Sequence, residues 1–458
     1  MPRVVSLSVL ASFAVPLVWA QENTAEENFG ISLSQSLRVT DNIRLNEESQ
    51  GTTTAAETEL SFGYRFGSGL QSLTLRGDAV ARLQDDPVLG SDAGLNDLNF
   101  DLEYLRQSAN ARLQLQAQYL RTDLLFNDPL EQDDLTEEDL GDNTGRRNTI
   151  TTGLEFETGL QSTVGLRLAV QQQDERYSDV IDPDLFDTDT RSATLTVPVR
   201  FSEHTEARLI YFNSRYDAED LVRTERDSER LTIGLSHALS PISRLSFDVG
   251  HSEVVETFDS RPGFEDRETG AVYNIVWDRD LANGALQASY SSNITQEGRR
   301  STFQIERVLS LPDGSLTVSL GASDGRNSSP RPIGAINWRK QNGRSNFSAD
   351  LSRNSIVSTT TSEVTETTRL NLLYGLELTT LSSLNFGLRY ANISELNGPV
   401  DEEDRRRASF DVSLNRQVTE DWDLVTGYQF SHARRDTGSS GNSNALFFTL
   451  KRDFGGLN

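Results

Sequence analysis

Apolar and polar residues alternate with a period of two along most of this chain. In 111–122, Ala111, Leu113, Leu115, Ala117 and Tyr119 are apolar, while Arg112, Gln114, Gln116 and Gln118 are polar. A period of two sends successive side chains to opposite faces of a β-strand. One face here is wholly polar and the other stays apolar until Arg121, which suits a strand between lipid and water. The same rows recur. Ile31, Leu33, Leu37 and Val39 oppose Ser32, Ser34, Ser36 and Arg38; Leu60, Phe62, Tyr64 and Phe66 form a second apolar row. Later rows include Leu231, Ile233 and Leu235, then Phe303 and Ile305, and finally Leu446, Phe448 and Leu450. The rows predict an all-β fold: a transmembrane, antiparallel, up-and-down β-barrel of about 22 strands, within a range of roughly 18–24.

Turn chemistry supports this order. Gly67-Ser68-Gly69, Asn283-Gly284, Asp313-Gly314 and Asn342-Gly343 supply the positive φ of tight hairpins. Connections after even-numbered strands are short. Those after odd-numbered strands tend to be longer, as at 84–96, 123–147, 177–189 and 434–443. Short turns face the periplasm in outer-membrane barrels and long loops face outward, so an even count places both termini in the periplasm. Trp277, Trp338 and Trp422 all fall beside short turns, where a periplasmic aromatic girdle is expected. A β-solenoid would show shorter, more uniform repeats, and a propeller would bury both strand faces.

Composition sharpens the reading. Only 36% of the 458 residues are hydrophobic, thin for several packed cores but sufficient for one hollow barrel with a wet interior. The absence of cysteine excludes a disulfide scaffold, a thiolate metal site and an acylated lipoprotein. No segment after residue 20 has 18 consecutive apolar residues, so helical spans are not expected. Residues 1–20, with Arg3 ahead of an apolar run ending Val18-Trp19-Ala20, read as a signal peptide cleaved near Ala20. Residues 21–28 are then a short periplasmic lead and 29–458 a single barrel. Without Arg3 the mature chain has 42 basic and 69 acidic residues, a formal charge of −27 that argues against nucleic-acid binding.

Candidate chemistry is sparse. The four histidines are scattered, and His251-Ser252 and Ser236-His237 are adjacent in strands, so each pair points to opposite faces. No catalytic residue, enzymatic activity or cofactor is expected. The longest loop, 123–147, carries Asp128, Glu131, Asp133, Asp134, Glu137, Glu138 and Asp139. These carboxylates suit a solvated acidic loop, a lid folded into the mouth, or a site for calcium or magnesium, bound directly or between lipopolysaccharide phosphates. The expected lumen wall includes Arg112, Gln114, Gln116, Gln118, Glu155, Arg167, Gln171 and Asp248. Such a wall suits hydroxyl-rich solutes such as saccharides, and equally suits simple wetting.

Thr40-Asp41-Asn42-Ile43 follows the first strand, and Glu175-Arg176-Tyr177-Ser178-Asp179 and Arg215-Tyr216-Asp217 stand at strand tops. On these pieces the chain resembles a family of proteobacterial outer-membrane β-barrel porins, some encoded near exopolysaccharide genes. The resemblance covers the whole mature chain. It implies an outer-membrane location and passage of solute or polysaccharide, and supplies no catalytic residues. One departure is the last strand, where Arg452 interrupts the aromatic row Phe448 to Phe454 that the barrel-insertion machinery would read. Two readings follow: a passive channel or export conduit for hydrophilic solutes, or a non-conducting structural protein acting through acidic extracellular loops. Both would contact outer-membrane lipid and lipopolysaccharide.

Overall fold

The computed structural model describes residues 26–131, 140, 144–182, 185–326, 329–357, 364–395, 405–434 and 439–455. They form one closed antiparallel barrel of 22 strands. The strands are β1 (Glu26–Thr40), β2 (Thr53–Gly67), β3 (Gln71–Asp86), β4 (Gly90–Gln107), β5 (Ala111–Asp123) and β6 (Arg146–Thr158). Next come β7 (Leu166–Ser178), β8 (Thr188–Ser202), β9 (Thr205–Ala218), β10 (Thr224–Ser240), β11 (Ser243–Phe258) and β12 (Glu265–Leu281). They are followed by β13 (Gly284–Thr295), β14 (Gly298–Leu311), β15 (Gly314–Gly325), β16 (Arg331–Asn342) and β17 (Ser345–Val357). The chain closes with β18 (Val364–Thr379), β19 (Ser382–Glu395), β20 (Arg405–Gln417), β21 (Trp422–Arg434) and β22 (Ser440–Phe454). Each strand pairs with its sequence neighbours, and β1 pairs with β22 from Ile31–Phe454 to Thr40–Ala445. Closure leaves no open sheet edge.

The two strand faces differ as the alternation requires. Leu60, Ile233, Phe303, Leu446 and Phe448 are each about half exposed, and they belong to an apolar belt around the outside. On a soluble protein so large a contiguous apolar surface would drive aggregation; against lipid it is the stable arrangement. Gly77 occupies this belt where the Phe62 ring leans across the ladder, and a Cβ there would meet that ring at 2.5 Å. Phe62 in turn lies 6.5 Å from Phe100, so the glycine lets two aromatic side chains cover three strands.

Both ends of the described chain lie at the short-turn rim, since Glu26 pairs with Gly67 and Phe454 with Ile31. Trp277, Trp338 and Trp422 lie at the same rim. Trp277 donates its indole N–H to Ser243 Oγ at 2.9 Å, and Trp338 packs edge-on against Phe347 at 5.1 Å. Arg452 is accommodated there too. Its guanidinium sits 5.5 Å from the Trp422 ring and 4.6 Å from the Phe454 ring, and it pairs with Asp421 at 3.2 Å. The charge lies at the polar rim with its stem on aromatic faces, so the row of β22 is not broken within the apolar belt.

Boundaries differ from the sequence reading at several strand ends; β22, for one, begins at Ser440, inside the expected loop 434–443. The segment 84–96 is not a long loop: β3 and β4 run on to a turn at 87–89, with Gln84 paired to Asp92 and Asp85 to Ser91. Beyond the lipid a hairpin needs no apolar face, so alternation fades while the backbone ladder continues. For the same reason β1 begins at Glu26, earlier than the first apolar residue, Phe29.

Candidate functional site

The long loop after β5 turns into the barrel. It leaves the wall at Asp123, forms one 3-10 turn at Pro129–Glu131, and meets the inner faces of β19 and β20. Those strands lie at least seven steps around the barrel from β5. Asp133, Asp134, Glu137, Glu138 and Asp139 lie outside the described residues; Asp128 and Glu131 lie within them.

The root of the loop is held by one buried arginine. Arg82, on the lumen face of β3, bonds Glu57 at 2.6 Å, Asp97 at 2.8 Å and Asp123 at 2.8 Å. Its guanidinium also lies 4.0 Å from the centre of the Phe126 ring. The Asp123 backbone N–H donates to Asp97 Oδ1 at 2.7 Å, and Asn96, the extra residue of a bulge in β4, donates to Asp123 Oδ2 at 3.1 Å. The bulge re-aims the end of the wall so that the chain leaves it inward.

The far end is held by polar and apolar contacts. Arg38 donates to Gln429, and Gln429 Nε2 donates to Asp128 Oδ2 at 3.1 Å. Asp128 Oδ1 also caps the turn by accepting the Leu130 N–H at 3.1 Å. Arg389 bridges Asp411 at 2.8 Å and Glu131 at 3.2 Å. Leu130 and Leu140 pack with Ala391 and Ile393 of β19 in a buried apolar cluster. Ala391 and Ile393 occupy lumen-facing positions of their strand, where water would otherwise be the neighbour. The Glu131 side chain keeps access to lumen water, yet the surrounding wall pushes its carboxyl above the usual range. That effect, with Asp128 and Asp411 nearby, outweighs the attraction of Arg389.

The expected lumen-wall residues separate into two groups. Gln116, Gln118 and Gln171 converge with Arg76, Asp101 and Thr151 around a cavity of about 440 Å³ on the wall formed by β3–β7. The others are tied to neighbours. Arg112 donates to Gln114 at 3.0 Å, and Arg167 bonds Glu155 at 2.8 Å and Glu157 at 2.6 Å. Asp248 accepts both arms of Arg208 at 2.7 and 2.8 Å and a third bond from Asn274 at 3.2 Å. Gly234 gives that pair its space, since a Cβ there would lie 2.0 Å from Asp248 Oδ1.

Arg82, Arg38 and Gln429 carry the loop's docking and were not singled out by sequence. The readable signal was the pair of apolar residues, Ala391 and Ile393, in the polar phase of β19. Among the described residues no group of three or more His, Asp or Glu is placed to hold a metal ion. Ser252 Oγ donates to the Glu229 carbonyl at 2.9 Å and Ser236 pairs with Ser246 at 2.9 Å, so neither hydroxyl is bonded to a histidine. The Thr40-Asp41-Asn42 motif closes the barrel seam: Asp41 accepts from Asn444, and Asn42 donates to the Asn442 carbonyl at 3.0 Å. Near the outer end of β7, Arg176 bonds Asp189 at 2.7 Å; near the outer end of β9, Arg215 bonds Asp217 at 3.2 Å.

No protein-family model matches the chain, and no curated protein matches it in sequence. Solved structures match it in fold. The FrpB iron transporter from Neisseria meningitidis (F5-1 variant) aligns with a TM-score of 0.58 and 8% identity, over 94% of this chain and 83% of that one. The ferric-catecholate import receptor Fiu from E. coli K12 gives 0.56 and 9%, over 93% and 81%. The copper transporter OprC gives 0.54 and 11%, over 93% and 80%. None of the three is named as a porin or a polysaccharide conduit. The likeness is one of architecture: this chain has the fold of a large outer-membrane β-barrel.

Proposed function

We propose that this protein is an outer-membrane channel for small hydrophilic solutes, with the loop after β5 as its lid. The observation that carries the reading is the docking of that loop across the lumen. It is fixed at Arg82 on one side and at Arg389, Gln429 and Ile393 on the other. A lumen lined by hydrogen-bonding groups admits hydrophilic solutes, and a loop across it sets the passage width. The crossing loop favours small solutes over a continuous polymer such as an exopolysaccharide. In this reading residues 1–20 direct secretion, and the rim bearing the short turns and both chain ends faces the periplasm. The aromatic row of β22 engages the insertion machinery, and the outer loops meet lipopolysaccharide.

The test is conductance of the refolded chain lacking 1–20 in planar bilayers, beside a variant lacking 131–141. A steady conductance that rises in the deletion supports a lidded channel. A barrel shown to be folded that never opens, with or without the loop, would defeat the channel reading in favour of a structural protein. Equal conductance of the two would remove the lid.

A further inference from the structure

Around most of the lumen, charged side chains are tied to one another. Arg82 holds Glu57, Asp97 and Asp123; Arg226 pairs with Glu256, Arg353 with Glu366, Arg208 with Asp248 and Arg389 with Asp411. The cavity of about 440 Å³ between β3 and β7 departs from this pattern. Arg76 and Asp101 are direct register partners there, yet they form no ion pair. Among the described residues, the side chains of Gln116, Gln118 and Gln171 bond to no other side chain. Gln116 lies flat over Gly153, its register partner, where a Cβ would come within 2.8 Å of its Cγ and Nε2. The glycine therefore gives the Gln116 side chain room to lie along the wall of the cavity.

A concavity of this volume is in the range of small-molecule sites. Each glutamine amide offers both donors and acceptors, while Arg76 adds one positive group and Asp101 and Glu103 add two negative ones. An anion would meet two carboxylates, and a cation would meet the Arg76 guanidinium in the same cavity. A neutral ligand with many hydroxyls can satisfy donors and acceptors alike. No aromatic side chain lines the cavity, so recognition rests on hydrogen bonds alone and exchange is fast. Fast, weak binding is what a conduction pathway requires. We propose that this cavity is a transit binding site for neutral polyhydroxylated solutes, with oligosaccharides as the ligand class. The proposal rests on the channel reading above and names the solute of that channel.

The experiment uses the refolded barrel without 1–20 and maltohexaose as probe, with polyethylene glycol of similar size as the non-specific comparison. Current block in bilayers and saturation-transfer NMR on the detergent-solubilised barrel are both measured. The variants are Gln116→Ala/Gln118→Ala, the milder Thr151→Val should the double variant fail to insert, and Gln304→Ala on β14 as a distant control. The expected result is sugar block and sugar NMR signal that fall at least tenfold in the double variant, or measurably in Thr151→Val. Sugar-free conductance and the Gln304→Ala variant stay as in the parent. Conduction with block that equals that of the glycol, or that no cavity variant changes, overturns this inference and leaves the channel standing. A folded barrel that never conducts, but whose sugar NMR signal depends on Gln116 and Gln118, overturns the channel and leaves the binding site.

Discussion

Arg82→Met is the substitution with the clearest expected consequence. The Arg82 side chain is only 4% exposed and faces three carboxylates within 2.8 Å. Removing one partner of a buried ion pair costs about 3–5 kcal/mol, because the remaining charge is left uncompensated. Glu57 and Asp97 keep 23% and 26% of their side-chain surface exposed to the lumen, so water softens the loss toward about 3 kcal/mol. Only part of this falls on the lid. Glu57 and Asp97 belong to the wall, whereas Asp123 and Phe126 belong to the loop root. The cation–π contact and one charge-assisted bond together are worth roughly 1–2 kcal/mol in docking, about a tenfold change in the docked population. The absence of cysteine makes the assay direct. In a Leu130→Cys background the thiol replaces a loop side chain that is 7% exposed and packed against Ala391 and Ile393. Its labelling by an impermeant maleimide then reports undocking. Arg82→Met should raise the labelling rate about tenfold and make single-channel current noisier. Adding Glu57→Gln, Asp97→Asn and Asp123→Asn should restore at least half of the lost barrel stability, since the cost arises from unpaired charge. A labelling rate within about twofold of the parent, from a barrel shown to be folded, would refute the assignment of Arg82 as the lid's anchor.

Two further outcomes follow from groups outside the lipid. The raised carboxyl of Glu131 means that proton binding favours the docked loop; its contribution is present at acid pH and lost as pH rises through the raised value. Leu130→Cys labelling, normalised at each pH to that of a free thiol because only the thiolate reacts, should therefore slow between pH 7 and pH 5, and Glu131→Gln should flatten that dependence; faster normalised labelling at acid pH would refute the sign. Asp86, at the outer tip of β3, is buried, which pushes its carboxyl up. Arg44, Thr53 and the backbone N–H groups of Leu89 and Val88 together outweigh that and hold it well below the usual range. Its stabilisation is present above the ordinary carboxylate range and is lost only as pH falls through the depressed value. Asp86→Asn should expose the 41–52 loop to limited proteolysis at neutral pH, whereas the parent should resist down through pH 4; equal cleavage of both would remove the clasp.

The barrel was legible because lipid and water impose opposite demands on neighbouring residues. The rows through Leu113, Phe303 and Leu446 could satisfy both solvents only in a strand, and their count matched the 22 strands observed. Legibility stopped where one solvent was missing. Around Asp85 and Ser91 both faces meet water, so polar composition read as loop although the backbone ladder persists. It stopped again inside the lumen. Arg112 and Gln116 look alike by alternation, yet one is tied to Gln114 and the other is left facing the cavity over Gly153. That difference depends on register partners and on a glycine 37 positions away, which periodicity does not contain. The acidic loop was visible as a loop. Its destination was not, because Asp128 and Gln429 are 301 residues apart and meet only through closure of the ring.

The lid and the cavity share one strand. Gln116 and Gln118 stand on β5, and Asp123, at the end of the same strand, is the loop's root. Asp123 lies five residue steps along the strand from Gln118, about 17 Å at roughly 3.4 Å per step. The two devices therefore lie in series along the barrel axis on the same wall. In the proposed channel a solute passes the lid first and reaches the cavity next. Arg82 then governs how often the passage opens, and the glutamines govern how long a solute stays. These are separate rates, and they rest on chemically separate parts: a buried charge cluster that must be paired, and a set of neutral amides that must not be. The wall supplies both by pairing its charges at Arg82 on β3 and leaving Gln116 and Gln118 free of side-chain partners on β5.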